Sequence, residues 1–205
     1  MININISWNR FEKLIEERLK PFADKKKIDV SIWEIFGEEW CVMFTDLTGF
    51  FYRVEKFDII HFLQIIYESK RVIMPIIKSY NGILLKVEGD SFLVIFKSVQ
   101  EALQCSIAIQ RTLKEYNMDK PEEETILLGI GLGYGRVLRI GDTDVFGREV
   151  NIASKLGEDI AGPWEILVSD AVRKQTIDIP DIFFEEIINF PVEKIKSFKL
   201  RYLLE

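Results

Sequence analysis

The sequence predicts an α+β fold of the ferredoxin-like kind, β-α-β-β-α-β, with helices on one face of an antiparallel sheet and the other face left to pair. Three observations predict it. Short apolar runs of strand length alternate with longer runs whose apolar residues recur every three or four positions. Gly89-Asp90 stands between two apolar runs, the signal of a tight hairpin. The 205 residues are 48% apolar and 29% charged, enough to bury one core and too apolar for a disordered chain.

Residues 1–37 read as a helical extension and 38–205 as the main domain. In the extension, residues 8 to about 20 form a short amphipathic helix, with Phe11, Ile15 and Leu19 about one turn apart. Pro21 ends it, and Lys25 to Lys27 read as a solvated stretch. The first strand, Trp40 to Phe44, stops at Thr45 and Asp46. A helix over about 57–80 follows, apolar on more than one side, with a kink expected at Pro75. That excess of apolar surface points to contact with another chain. Strands Ile83 to Val87 and Phe92 to Lys97 make the hairpin through Glu88-Gly89-Asp90-Ser91. A second helix, Val99 to about Tyr116, turns Ala102, Cys105, Ile109, Leu113 and Tyr116 to the core. After a polar loop at Pro121 to Glu124 come strands Ile126 to Gly131 and Val137 to Ile140, and a helix from Glu149 to about Asp159. A strand at Ile166 to Val168, a short helix and a C-terminal strand pair complete the order.

Composition excludes several classes. With 27 Lys+Arg against 33 Asp+Glu the formal charge is −6, which supplies no overall basic surface for nucleic acid. One histidine, His61, and two cysteines, Cys41 and Cys105, leave little material for a zinc site, a thiol-redox pair or a Ser-His-Asp triad. The cysteines read as small buried hydrophobes of a reducing compartment, and His61, inside an apolar helical run, as an ordinary packing or surface residue. No charged segment followed by a continuous apolar stretch marks a signal peptide. The most apolar segment, Ile59 to Ile77, is interrupted by Glu68, Lys70 and Arg71 and cannot span a bilayer. A cytoplasmic protein is expected.

Two aspartates stand where strands end, Asp46 after WCVMFT and Asp90 after LLKVEG. Each alone reads as an ordinary turn or capping residue. Close together they would offer hard oxygen ligands to Mg²⁺ or Mn²⁺. The run Gly129-Ile130-Gly131-Leu132-Gly133-Tyr134-Gly135 fails the dinucleotide fingerprint, because Tyr134 and Arg136 stand where its last glycine is needed, and it lacks a P-loop ending. It reads as a strand whose glycines permit close backbone approach. In DVFGREVNIASKL (144–156), Asn151 and Lys155 lie four apart and share one helix face, an amide beside a cation.

These pieces, in this order, resemble the catalytic domain of class III nucleotidyl cyclases over about residues 38–205: FTDLTGF (44–50), KVEGD (86–90), GIGLGYG (129–135) and DVFGREVNIASKL (144–156). The resemblance implies that Asp46 and Asp90 bind two Mg²⁺ or Mn²⁺ ions, with the main-chain carbonyl of Leu47 as a further ligand. It implies that Lys86 and Asp144 read the adenine edge, that Asn151 orients the ribose and that Lys196 meets the terminal phosphates. Lys155 falls where the family usually has an arginine that stabilises the α-phosphate; it keeps the charge and loses the planar fork. Glu88 and Phe51 also depart from common residues. In the family the site forms between two subunits, and because this chain holds both sets of residues a homodimer with two equivalent sites is implied. The resemblance points to an adenylate cyclase making 3′,5′-cyclic AMP and pyrophosphate from ATP, with no nucleic-acid partner and no membrane span. The alternatives are a catalytically weak or degenerate nucleotide-binding signalling module and a cyclase for another nucleoside triphosphate. A diguanylate cyclase shares a Gly-Asp hairpin but lacks a counterpart for Asn151 and Asp144.

Overall fold

The structure, a computed structural model, describes residues 6–176, 179, 182–188 and 196–202, with residues 50–53 described by their backbone alone. The expected departure at Phe51 therefore lies outside the described side chains. Helix α1 (Ile6–Leu19) ends before Pro21 as expected. The solvated stretch expected at Lys25 to Lys27 is instead the first turn of a second helix, α2 (Lys25–Phe36), capped by Asp24, whose carboxylate accepts from the Lys27 amide. Three lysines at a helix N-terminus oppose the dipole. The helix forms because Ile28, Ile32 and Phe36 bury one stripe against Ile140, with Trp8, Phe11 and Ile15 of α1 closing the cluster.

Strand β1 (Gly37–Leu47) leads into α3 (Phe50–Phe57) and α4 (Ile59–Ser79). The helix expected over about 57–80 is α4; α3 is an additional helix ahead of it, set off at Asp58, which has φ +80° and caps the Ile59 amide. Pro75 lies inside α4. As expected, α4 is apolar on two sides: Phe62, Ile65, Ile73 and Ile77 are buried, whereas Ile60, Leu63 and Tyr67 are exposed. The hairpin is β2 (Ile83–Glu88) and β3 (Ser91–Phe96), turning at Gly89, φ +60°. Then follow α5 (Val99–Asn117), β4 (Leu128–Ile140), β5 (Asp144–Phe146) and α6 (Arg148–Ser154), which continues as a π-helical turn at Lys155–Ile160. The chain ends with β6 (Ile166–Ser169), α7 (Asp170–Gln175), β7 (Phe183–Glu186) and β8 (Ser197–Arg201).

The sheet runs β2-β3-β1-β4-β6-β8-β7, with β5 paired to the far half of β4. It is mixed, because β4 and β6 pair in parallel. The two strands expected between residues 126 and 140 are one strand, bound to β1 along its length from Gly37↔Leu138 to Leu47↔Leu128. Helices α4 and α5 cover one face, where Cys41, Met43, Phe92 and Phe96 are buried. The expected one-sided arrangement fails for α6. Its Val150 and Ala153 pack with Trp40, Val42, Leu93 and Ile95 on the opposite face. The glycines of β4 make this possible, as expected: a Cβ on Gly131 would lie 2.2 Å from the Ala153 carbonyl oxygen and 2.3 Å from the Gly157 nitrogen.

Candidate active site

Alternation along the strands decides which residues meet. Phe44 and Leu93 face α6, so Asp46, two residues beyond Phe44, and Ser91, two before Leu93, face the same way. The structure joins them: the Ser91 hydroxyl donates to Asp46 Oδ1 at 2.8 Å. Asp90 is the last turn residue before β3, directly beside this contact. Burial pushes the Asp46 carboxyl up to about 6; the Ser91 hydrogen bond works against the rise, and the charges of Asp90, Glu158 and Asp159 add to it. Burial also raises Asp90, again with Glu158 as a like charge. Among the described residues, every charge acting appreciably on Asp46 is negative.

A divalent cation fits this arrangement. Two half-buried carboxylates that repel one another are hard oxygen donors waiting for positive charge. Among the described residues no cluster of three or more His, Cys, Asp or Glu side chains is arranged for a metal ion. The donor set matches Mg²⁺, which is held by one or two carboxylates and completed by water and substrate phosphates. Leu47 follows Asp46 as the last residue of β1, its side chain buried in the opposite face.

Lys86 reaches its position through a bulge. The β2–β3 register shifts between Leu84 and Lys86, so Lys86 pairs with Leu93 and turns to the α6 face, where simple alternation would send it to the other. There its Nζ lies 2.7 Å from Asp144 Oδ2 and 3.2 Å from Glu88 Oε1. The hydrogen bond with Asp144 raises the Lys86 pKa above its ordinary value. Asp144 opens β5, and its other oxygen accepts from the Val145 amide at 2.8 Å, which fixes the carboxylate plane. Glu88 is mostly exposed and is neutralised by Lys86 rather than directed at the aspartates.

Asn151 is exposed on α6. Lys155 lies one turn on, its amide donating to the Asn151 carbonyl, so both share one stripe as the spacing predicts. The Lys155 ammonium, however, is paired with Asp159 at 2.6 Å. Lys196 lies apart from this pair, in a groove of about 740 Å³ bounded by α6, α7 and the start of β8, with Arg148, Ser169 and Arg173. The structure thus brings together Asp46 with Asp90, and Lys86 with Asp144, on one sheet face; it does not bring Lys196 to Lys155. Sequence reasoning missed Ser91 and Arg148. The signal for Ser91 was strand register, and for Arg148 the three-residue spacing from Asn151 along the helix. His61 is a structural residue, Nε2 donating to the Glu123 carbonyl at 2.7 Å. Cys41 and Cys105 are free and buried. No helix among the described residues is long and apolar enough to cross a membrane.

The family model described as "Adenylate and Guanylate cyclase catalytic domain" matches residues 37–197. A protein of Rhizobium meliloti (strain 1021) named "Putative adenylate cyclase 3" is 32% identical over 125 residues, 58% of this chain and 21% of that protein. The chain therefore spans about a fifth of the length of that curated relative. Among solved structures, an adenylate/guanylate cyclase/hydrolase from Silicibacter pomeroyi superposes with a TM-score of 0.69 at 28% identity, covering 80% of this chain and 97% of that one. The guanylate cyclase domain of RhGC from Catenaria anguillulae, solved with GTP, shares the fold with a TM-score of 0.67 at 18% identity over 80% of this chain and 97% of that one.

Proposed function

The chain belongs to the adenylate and guanylate cyclase catalytic domain family, and on that premise we propose that it converts ATP to 3′,5′-cyclic AMP and pyrophosphate at a site shared between two copies of itself. One observation carries the choice of nucleotide: the ammonium of Lys86 and the carboxylate of Asp144 stand side by side, 2.7 Å apart. Lysine only donates and an ionised carboxylate only accepts. Adenine presents a ring nitrogen acceptor beside an amine donor, whereas guanine presents a carbonyl where adenine has the amine. The pair therefore reads adenine.

Asp46 and Asp90 would hold two Mg²⁺ or Mn²⁺ ions, with the Leu47 carbonyl as a further ligand. Such ions supply a lowered pKa for the ribose 3′-hydroxyl and neutralise charge on the triphosphate. Ser91 keeps one Asp46 oxygen oriented. Asn151 orients the ribose, Lys155 opposes charge at the α-phosphate without a bidentate fork, and Lys196 meets the terminal phosphates. In this reading Asp46 and Asp90 of one copy face Lys86, Asp144 and Asn151 of the other, so a homodimer has two equivalent sites. The apolar surface left on α4 by Ile60, Leu63 and Tyr67 supports contact with another chain. Residues 38–205 form the catalytic domain and residues 1–37 an extension ahead of it. ATP as substrate and two buried free thiols fit the cytoplasm.

The test is incubation of the protein with ATP, GTP, CTP or UTP and Mn²⁺, with identification of the product. Cyclic AMP in excess supports the reading; a different cyclic nucleotide in excess overturns the adenine assignment. A second reading has one observation in its favour. Lys155 stands where a fork is wanted and is engaged with Asp159, which fits a module that binds nucleotide and signals by dimerisation without turnover. The absence of any cyclic product from a folded chain selects it.

A further inference from the structure

We propose that Arg148 is a phosphate-binding residue of the nucleotide site and supplies the planar guanidinium that Lys155 lacks. The inference rests on the cyclase reading and extends it to a residue outside the motif positions. Its first support is helix geometry. Arg148, Asn151 and Lys155 stand at i, i+3 and i+7, and the Lys155 amide still bonds to the Asn151 carbonyl, so the stripe is continuous to Lys155. A triphosphate approaching Asn151 meets a cation on each side of it.

The second support is what each cation is doing. The Lys155 ammonium is held at 2.6 Å by Asp159, on the far side of Asn151. The Arg148 side chain is 70% exposed, and one of its donors goes to Glu149 Oε1 at 3.1 Å. A guanidinium has five donors in a planar fork, and among the described residues Glu149 alone is seen to engage that of Arg148, which leaves donors in a geometry that matches two phosphate oxygens. The Glu149 carboxyl is buried beneath the helix, so its contact occupies one edge of the guanidinium and leaves the exposed edge toward solvent.

The third support is placement. Arg148 and Lys196 line the same groove, and Lys155 does not. Arg148 thus shares its helix stripe with Asn151, the residue proposed to orient the ribose, and its groove with Lys196, the residue proposed to meet the terminal phosphates. A guanidinium grips a phosphate bidentately and an ammonium acts as a point charge, so the two cations are not equivalent there.

The experiment uses the full chain and two readouts: initial rate of cyclic product from ATP with Mn²⁺, and equilibrium affinity for a non-hydrolysable α,β-methylene ATP analogue compared with adenosine. Arg148→Ala is expected to lower kcat at least about tenfold and weaken the analogue about fivefold or more, leaving adenosine binding unchanged. Arg148→Lys, which keeps the charge and guards against a folding artefact, recovers the binding and only part of the rate. Lys155→Arg restores the rate in the Arg148→Ala background. An Arg148→Ala protein within about twofold of the parent in both readouts overturns the proposal. A parent chain that binds the analogue through Arg148 yet makes no cyclic product overturns the cyclase reading and supports Arg148 as a phosphate contact. A parent that does not bind the analogue overturns both.

Discussion

Gly131→Ala tests how α6 is held against the sheet. The added Cβ would sit 2.2 Å from the Ala153 carbonyl oxygen and 2.3 Å from the Gly157 nitrogen, both backbone atoms that no rotamer change can remove. Ordinary contact needs about 3.5 Å, so the helix or the strand must shift by roughly 1 Å. Overpacking of this kind costs about 1–3 kcal/mol, and in a chain of this size each kcal/mol lowers Tm by about 2–4 °C, giving a fall of about 2–12 °C. The displaced element holds Asn151 and Lys155, and a misplacement of about 1 Å at a reacting centre can cost about a hundredfold in rate. Gly162→Ala is the control. Its Cβ would come no nearer than 3.6 Å, to the Glu165 side chain, and its effect is expected to stay within about 0.5 kcal/mol. Thermal unfolding of the three proteins, with Mn²⁺-dependent turnover measured below their transitions, is the assay. A Gly131→Ala protein as stable as the Gly162→Ala control would refute the close backbone contact from which the position of α6 is argued.

Three further outcomes are expected. Asp46→Asn abolishes Mn²⁺-dependent turnover yet raises stability by about 1–2 kcal/mol at pH 7 without metal, because at that pH a carboxyl raised by burial from 3.8 to about 6 is mostly ionised, a cost that the neutral amide does not carry. Stability from neutral Asp46 is present below 3.8 and is lost as pH rises to about 6, so in EDTA the Tm of the parent is expected to fall relative to that of Asp46→Asn across that window, and a constant difference between the two contradicts the burial of this carboxyl. Mn²⁺ is expected to raise the Tm of the parent at pH 7 and not that of Asp46→Asn; equal shifts in both would place the ion elsewhere. Asp144→Asn, which offers an amide where a carboxylate accepted from Lys86, is expected to narrow the preference for ATP over GTP by about tenfold in kcat/KM, and an unchanged ratio would remove Asp144 from the base edge.

The backbone positions of the candidate site residues were legible because each sits where local sequence sets its conformation. Asp46 follows an apolar run of strand length, Gly89-Asp90 stands between two apolar runs as a turn, and Asn151 and Lys155 keep helical spacing. The glycines of β4 were read for close approach, and they provide it against the Ala153 and Glu149 carbonyls. What escaped is set by partners far along the chain. Helix α2 begins with three lysines, and its stripe of Ile28, Ile32 and Phe36 has meaning only against Ile140, more than a hundred residues away. The continuity of β4 across Gly133 and Gly135 is enforced by eleven pairings to β1 rather than by its own residues.

Lys86 shows the same limit at the site itself. Period-two alternation from Leu84, which packs with the α4 and α5 core, would send Lys86 toward that core as well. Burying an ammonium there without a partner would cost several kcal/mol. The bulge between Leu84 and Lys86 inserts Leu85 and turns the lysine to the α6 face, where Asp144 meets it from β5. The bulge and the ion pair therefore depend on one another. Removing the acceptor leaves the bulge without its electrostatic return, and restoring regular pairing would bury the charge. The two residues proposed to read the base are thus brought together by register, and one residue more or fewer between Ile83 and Gly89 would put the carboxylate and the ammonium on opposite faces of the sheet.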